Sequence, residues 1–485
     1  MKDFPGTTGL VLNEPLLWEK GRAGRQGFSI PRTDVEPAQP DEDLVWEGPS
    51  LPDLSEIDVV RHYTRLSTWN FGIDTGTYPL GSCTMKYNPK INEKLAGLPG
   101  FAKAHPLLPN RLSQGILEIM FELQRFLAEI TGMDAVCLQP AAGAQGELSG
   151  MLLIHAFHKS QGRRPSKIIV PDTAHGTNPA SAALCGYSPV AVKSNEKGIL
   201  SAESVDKVMD DETAGIMLTN PNTLGFFEEN IKEIADIVHA RGGLVYGDGA
   251  NMNAIMGIVD AARIGVDILH LNLHKTFSTP HGGGGPGAGP ICVRKDLEPF
   301  LPVPRIVRKK GEYVLSEDFP QSIGKVHAFM GNVGVMIKAY CYILSMGAEN
   351  LKKCSQLAVL NANYLKERLK DKFNLPYDRT CMHECVFTDK NQAAEKIRTL
   401  DIAKRLMDYG FHPPTIYFPL VVNGAIMIEP TETESKQDLD LLIDALRAIA
   451  HECRENPDLL RDAPTRCKMK RLDEVSAARK PHLIE

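Results

Sequence analysis

The sequence predicts an α/β protein, with a mainly parallel sheet in a large domain and a smaller α+β domain at the C-terminal end. Three observations carry this. From about residue 110, short apolar segments alternate with stretches of helical periodicity. Those strand-like segments end in loops of small and polar residues. A shorter alternation of the same kind follows a helix-rich stretch that runs from about 330 to 373. Strands separated by helices are joined by crossovers, and crossovers produce parallel sheets covered on both faces.

Taken in order, residues 1 to about 70 are rich in Pro, Gly and charge, as in Gly21-Arg22-Ala23-Gly24-Arg25 and Pro37-Ala38-Gln39-Pro40-Asp41. They read as an arm with short elements, suited to a neighbour's surface. A large domain is expected over 71–305 and a small domain with connecting helices over 306–485, divided after Pro302-Val303-Pro304. Within the large domain, Ile116–Ile130 has helical spacing and Ala135–Leu138 is a short strand. Glu147–Phe157 reads as a helix, and strands follow at 167–170, 189–192 and 215–219. Ile231–Arg241 is an amphipathic helix before the strands at 243–246 and 266–271. In the small domain, Cys385–Phe387 and Ala425–Ile428 are strands, Leu439–Glu452 is a closing helix, and a charged tail follows 460. No internal repeat or low-complexity tract is visible.

The 485 residues are 43% hydrophobic and 24% charged, enough for a large core. A net charge of -6 argues against a nucleic-acid partner. No apolar run is long enough to span a bilayer, and the start, Met1-Lys2-Asp3-Phe4-Pro5-Gly6, lacks the apolar core of an export signal. Ten cysteines without a C-x-x-C pair fit reduced thiols in a cytoplasm. Cys381 and Cys385 flank His383, but no second ligand cluster lies near them in sequence, so no metal site is expected.

The chemistry concentrates at the carboxyl ends of the inferred strands, where open α/β sheets bind ligands. The strand at 266–271 runs into Asn272-Leu273-His274-Lys275-Thr276, and the strand at 243–246 ends in Gly247-Asp248-Gly249-Ala250-Asn251. A lysine and an aspartate on successive strand ends are what a pyridoxal-phosphate site needs. The amine condenses with the aldehyde, and the carboxylate keeps the pyridine nitrogen protonated so that the ring accepts electrons. Singly, each residue has a plainer reading, the lysine as a surface charge and the aspartate as a turn or N-cap.

Three further loops belong to the same edge. Ala142-Gly143-Ala144, within Pro140–Glu147, opens a helix whose backbone N–H groups suit the cofactor phosphate. His175, on the loop after the strand at 167, is placed to stack on the pyridine and move a proton near the substrate. Thr219 or Asn220 is placed to hydrogen-bond the phenolic oxygen, against the alternative of a polar turn fixed by Pro221. Gly282-x-Gly284-x-x-Gly287 matches a dinucleotide fingerprint in letters only. It contains Pro286 and leads into a strand rather than a helix, so close backbone approach or a gate is the better reading.

With these loops in place the chain closely resembles glycine decarboxylase, the P-protein family of the glycine cleavage system, in its two-subunit bacterial form. The resemblance rests on Pro79–Pro89, the loops at 139–147, 172–181 and 219–225, Asp248–Asn253, Asn272–Gly289 and Met427–Ser435. Ser278-Thr279 depart from it, standing where Cys-Ile is expected. The resemblance implies the aminotransferase-like, fold-type I architecture and a cofactor held covalently by Lys275. It also implies that Asp248 sits at the ring nitrogen, His175 on one ring face and Ala250 on the other, with His274 in the cofactor site. Glycine would lose CO2, and its aminomethyl group would pass to the lipoyl arm of a separate H-protein. A homologous first subunit in an α2β2 assembly is implied as partner. The alternatives are another fold-type I enzyme, an amino-acid decarboxylase or aminotransferase, or a non-catalytic subunit on the same fold.

Overall fold

A computed structural model describes residues 14–29, 31–46, 48, 51–281, 286–467 and 469–481. The glycines at 282–285, and with them most of the expected gate, lie outside the described residues. The chain forms two compact units, one running through Thr75 and resuming at Arg466, the other spanning Gly76–Thr465.

The first unit contains a 12-residue helix, Glu56–Ser67, where the sequence suggested an arm with short elements. Ser55 caps it: its hydroxyl accepts from Asp58 N, and the Asp58 carboxylate accepts from Ser55 N in return. Buried Glu14 gathers Lys20, His62 and Arg65, the last two at 3.0 Å. The charged tail from Arg466 on groups with this unit, not with the segment after 306 to which the sequence assigned it.

The second unit is built on a seven-stranded sheet. Its strands are β1 (Ala135–Cys137), β2 (Lys167–Pro171), β3 (Ser188–Val192), β4 (Thr213–Thr219), β5 (Leu244–Gly249), β6 (Ile268–Leu271) and β7 (Ile291–Val293), in the order β1-β7-β6-β5-β4-β2-β3. Pairs among β2 to β6 are parallel, and β7 runs antiparallel to both β1 and β6. Every residue of β4, β5 and β6 is buried, as expected for strands covered on both faces. Long helices supply the cover. Asn110–Thr131 ends at Gly132 with φ 73°, the left-handed closure that glycine permits. Gly143–Ser160 packs against β6 and β4.

An unforeseen hairpin, β8 (Arg305–Lys309) and β9 (Glu312–Ser316), stands where the domain division was expected, inside the larger unit. The helical stretch Val333–Leu369 follows, broken at Gly347 with φ 66°. A three-stranded antiparallel sheet then forms from β10 (Cys385–Thr388), β11 (Thr415–Ile416) and β12 (Ala425–Ile428), with β12 central. Lys436–Glu455 covers it, its own first turn capped by Ser435 and Asp438.

Candidate active site

The parallel register decides which side chains meet. Thr219 at the end of β4 lies opposite Asp248 on β5, and Asp248 lies opposite His270 on β6. β6 ends at Leu271, and a single helical turn, Leu273–Thr276, carries His274 and Lys275. The loop after β2 brings His175. These ends open on one cavity of about 250 Å³, lined by Gly143, Ala144, His175, Thr219, Asp248, Ala250, His274 and Lys275 among others. Every residue the sequence singled out is therefore at the cavity except Ala142 and Asn220. Ala142 instead occupies the N-cap of Gly143–Ser160, and Asn220 Oδ1 is turned to Glu228 N at 3.0 Å.

Asp248 is buried, accepting from Ala250 N at 2.9 Å and from Asn178 Nδ2 at 3.2 Å. Burial raises its pKa, but the charges of His270 and Lys275 and these hydrogen bonds outweigh that, so it is held below the usual carboxylate range. Glu147, one helical turn into Gly143–Ser160, goes the other way: burial and the neighbouring Asp248 charge raise it. The cavity thus holds two carboxyl groups pushed apart, with Asp248 the anion. Glu147 also accepts from the hydroxyl of Thr177 at 2.8 Å, and that hydroxyl lies 2.9 Å from His175 Nδ1.

Lys275 is half-buried, and its Nζ makes no hydrogen bond or ion pair among the described residues. Burial together with the charges of His281 and Lys275 pushes His274 down to about 3, leaving a neutral ring. Thr219 Oγ1 is buried without a partner. The helix at Gly143 begins with no side-chain cap among the described residues, and its first residues, Gly143 and Ala144, line the cavity. A Cβ at Gly143 would stand 2.6 Å from Asn272 Nδ2, so this close approach needs glycine. Ser278, beside the lysine, has φ 55° and donates to the Tyr87 carbonyl.

Sequence reasoning missed Glu147, Asn178 and His270. The signal for His270 was its position two residues short of Asn272 in an otherwise apolar strand. Glu147 and Asn178 are set by the folding of helix starts toward β5, which no local pattern reports.

A sheet of this order, with a lysine just after one central strand and an aspartate at the end of the next, defines the aminotransferase-like, fold-type I class. Solved structures agree at the level of fold. A crystal structure of glycine decarboxylase (P-protein) in inhibitor-bound form superposes with a TM-score of 0.71 at 19% identity, over 84% of this chain and 93% of that one. Glutamate decarboxylase of Lactobacillus brevis does so with 0.65 at 13% identity, over 88% and 96%.

The chain belongs to the glycine decarboxylase P-protein family. Residues 52–310 match the family model of the glycine cleavage system P-protein, and 354–464 that of the glycine dehydrogenase C-terminal domain. A probable glycine dehydrogenase (decarboxylating) subunit 2 of Caldanaerobacter subterraneus subsp. tengcongensis is 57% identical over 96% of this chain and 97% of its own length. The protein of the same name from Alkaliphilus oremlandii is 56% identical over 96% of both. Family and fold class together imply pyridoxal phosphate as the cofactor. Among the described residues no helix is long and apolar enough to cross a membrane.

Proposed function

We propose that this chain is the cofactor-bearing subunit of a glycine decarboxylase, a glycine dehydrogenase (aminomethyl-transferring) that removes CO2 from glycine and passes the aminomethyl group to the lipoyl arm of an H-protein. The observation that carries the reading is the convergence of Lys275, Asp248 and His175 on one cavity at the ends of β6, β5 and β2. The same convergence, together with relatives of this name over nearly the whole chain, leaves a non-catalytic role without support.

The residues present fit pyridoxal phosphate. The uncapped start of Gly143–Ser160, with Ala142, Gly143 and Ala144, suits a phosphate, and the unpartnered Thr219 hydroxyl suits the phenolic oxygen. Lys275 would hold the aldehyde carbon. The bound cofactor supplies an electron sink for the pair left when the carboxyl group departs. Asp248 would keep a proton on the ring nitrogen, and it is held anionic for this by the His270 and Lys275 charges and by its hydrogen bonds from Ala250 N and Asn178. His175 and Ala250 would hold the two ring faces, and the His175 imidazole would be the group to move a proton at the substrate α-carbon. Neutral His274 adds no competing positive charge to the wall.

The acceptor in this reading is a lipoylated H-protein separate from this chain. A homologous first subunit completes an α2β2 enzyme in the cytoplasm. The test is exchange of labelled bicarbonate into the glycine carboxyl group, with each component omitted in turn. Exchange should require this chain, its companion subunit and lipoylated H-protein. Full exchange by the isolated chain with free lipoate would overturn the reading.

A further inference from the structure

Beside the cofactor cavity, within reach of the Lys275 charge, His383, Glu384 and Glu429 form a second cluster, each 0% exposed. Strand pairing builds it. Cys385 on β10 lies opposite Ile428 on β12, so Glu384 and Glu429 are brought together one step beyond the ladder. Leu80 bridges to Ile428 from the other side. The loop that follows aims two backbone donors at the carboxylates: Ser82 N reaches Glu384 Oε2 at 2.8 Å, and Thr84 N reaches Glu429 Oε2 at 2.9 Å. Ser82 and Thr84 adopt φ 65° and 50° in doing so, a region that non-glycine residues enter at a cost.

The other oxygen of each carboxylate, Oε1, has no hydrogen-bond partner, and neither ring nitrogen of His383 has one. His383 Nε2 lies 3.9 Å from Glu384 Oε1 and 3.9 Å from Glu429 Oε1. These ligand atoms all fall within 4.8 Å of one another. Among the described residues no lysine or arginine forms an ion pair with either carboxylate, and Lys275 acts on them only through its charge at longer range. Two carboxylates and an imidazole, buried and converging without contact, are expensive unless something sits between them. A proton on either Oε1 would find no acceptor within hydrogen-bond reach. A water molecule could bridge the three atoms but would bring no positive charge to the two facing carboxyl groups.

We propose that His383 Nε2, Glu384 Oε1 and Glu429 Oε1 bind a divalent first-row transition-metal cation. One nitrogen and two carboxylate oxygens are a donor set for Zn²⁺, Mn²⁺ or Fe²⁺, and the three atoms need only draw in by a few tenths of an ångström to reach bond lengths of roughly 2.0–2.2 Å. Two carboxylates neutralise the ion's charge. The cation would tie the ends of β10 and β12 together. Because the same carboxylates hold Ser82 N and Thr84 N, it would also fix the segment whose Ser82 lines the cofactor cavity. Its role is structural, and the proposal does not depend on which reaction the cavity performs.

The experiment is elemental analysis by inductively coupled plasma mass spectrometry. The full chain, copurified with its companion subunit from medium supplemented with Zn²⁺, Mn²⁺ and Fe²⁺, is dialysed against metal-free buffer before measurement. About one equivalent of one of these metals per chain is expected, and about none in Glu384→Gln and Glu429→Gln. After chelator stripping, Co²⁺ should restore the melting temperature and add d–d absorption in the visible, with neither effect in the variants. Less than about a tenth of an equivalent of each metal in the parent protein overturns the proposal, whether or not the variants fold. Metal retained in full by both variants overturns it too.

Discussion

His270 Nε2 stands 3.4 Å from Asp248 Oδ1, while the ring's other nitrogen lies 2.6 Å from the Tyr246 hydroxyl. Strand register sets both distances, since Asp248 and His270 are cross-strand partners and Tyr246 lies two residues before Asp248 on the same face of β5. A fully buried tyrosine therefore fixes the ring that faces the carboxylate. Asp248 keeps its charge in a buried place because this histidine, Ala250 N–H and Asn178 all favour the anion.

Asp248→Asn should accordingly lose activity while keeping the fold. The amide preserves shape but cannot hold a charged ring nitrogen. The exchange rate should fall by at least about a hundredfold, the scale of removing one major electrostatic interaction, roughly 3 kcal/mol. Activity within about twofold of the parent would mean that Asp248 is only a turn residue.

The parallel sheet and the strand ends that carry Lys275, Asp248 and His175 were legible because buried strands are apolar runs and the loops after them are not. The three-stranded sheet was legible only in part. β10 and β12 are apolar runs, but β11 is two residues long and carries no pattern. Glu384 and Glu429 were invisible as a pair, since their meeting depends on antiparallel register across a long insertion. The sequence drew attention to His383 through its flanking cysteines, yet Cys385 Sγ is turned to the Ile428 carbonyl at 3.9 Å, and the converging groups are carboxylates. The N-terminal helix Glu56–Ser67 was overlooked although Ser55 and Asp58 spell its cap.

Borohydride reduction followed by peptide mapping should place the pyridoxyl group on the peptide containing Lys275. Two other lysines are poor candidates on structural grounds. Lys86 is buried but committed to Glu432 at 2.6 Å and Asn253 at 2.8 Å, and burial notwithstanding, the Glu432 charge holds its pKa above the ordinary lysine value. Lys325 pairs with Glu317 at 2.8 Å on the surface. An adduct on either would sink the assignment.

Two glycines make opposite predictions for one substitution. A Cβ at Gly150 would lie 2.3 Å from Tyr246 Cε2 and 2.6 Å from Cδ2. That ring cannot retreat without losing His270, so Gly150→Ala should destabilise the protein by roughly 1–3 kcal/mol as an overpacking change. Gly115 lies exposed within the helix Asn110–Thr131 with nothing within 4 Å of its Cβ position. Gly115→Ala should stabilise by about 0.5–1 kcal/mol through helix propensity. Chemical denaturation of both variants is the measurement, and a Gly150→Ala protein as stable as the parent would show that Tyr246 is not held as described.

Glu228 predicts how stability depends on pH. It is 1% exposed, and burial pushes its pKa up to about 7, even though it accepts from Asn222 Nδ2 and Leu200 N, both at 2.8 Å. In the unfolded chain it titrates near 4.5. Between these values the folded protein keeps a proton that the unfolded chain has released. The stability this group contributes is fully present below about 4.5, declines as pH rises toward about 7, and is lost above. The span corresponds to roughly 3 kcal/mol as an upper bound. Glu228→Gln removes the titration while keeping a neutral group of the same shape. Its amide disturbs one of the two hydrogen bonds, but that cost does not vary with pH. The difference in unfolding free energy between parent and variant, followed from pH 5 to 8, should therefore shift steadily in the variant's favour and then level off. A difference that stays constant across this range would show that Glu228 is ionised throughout in the folded protein.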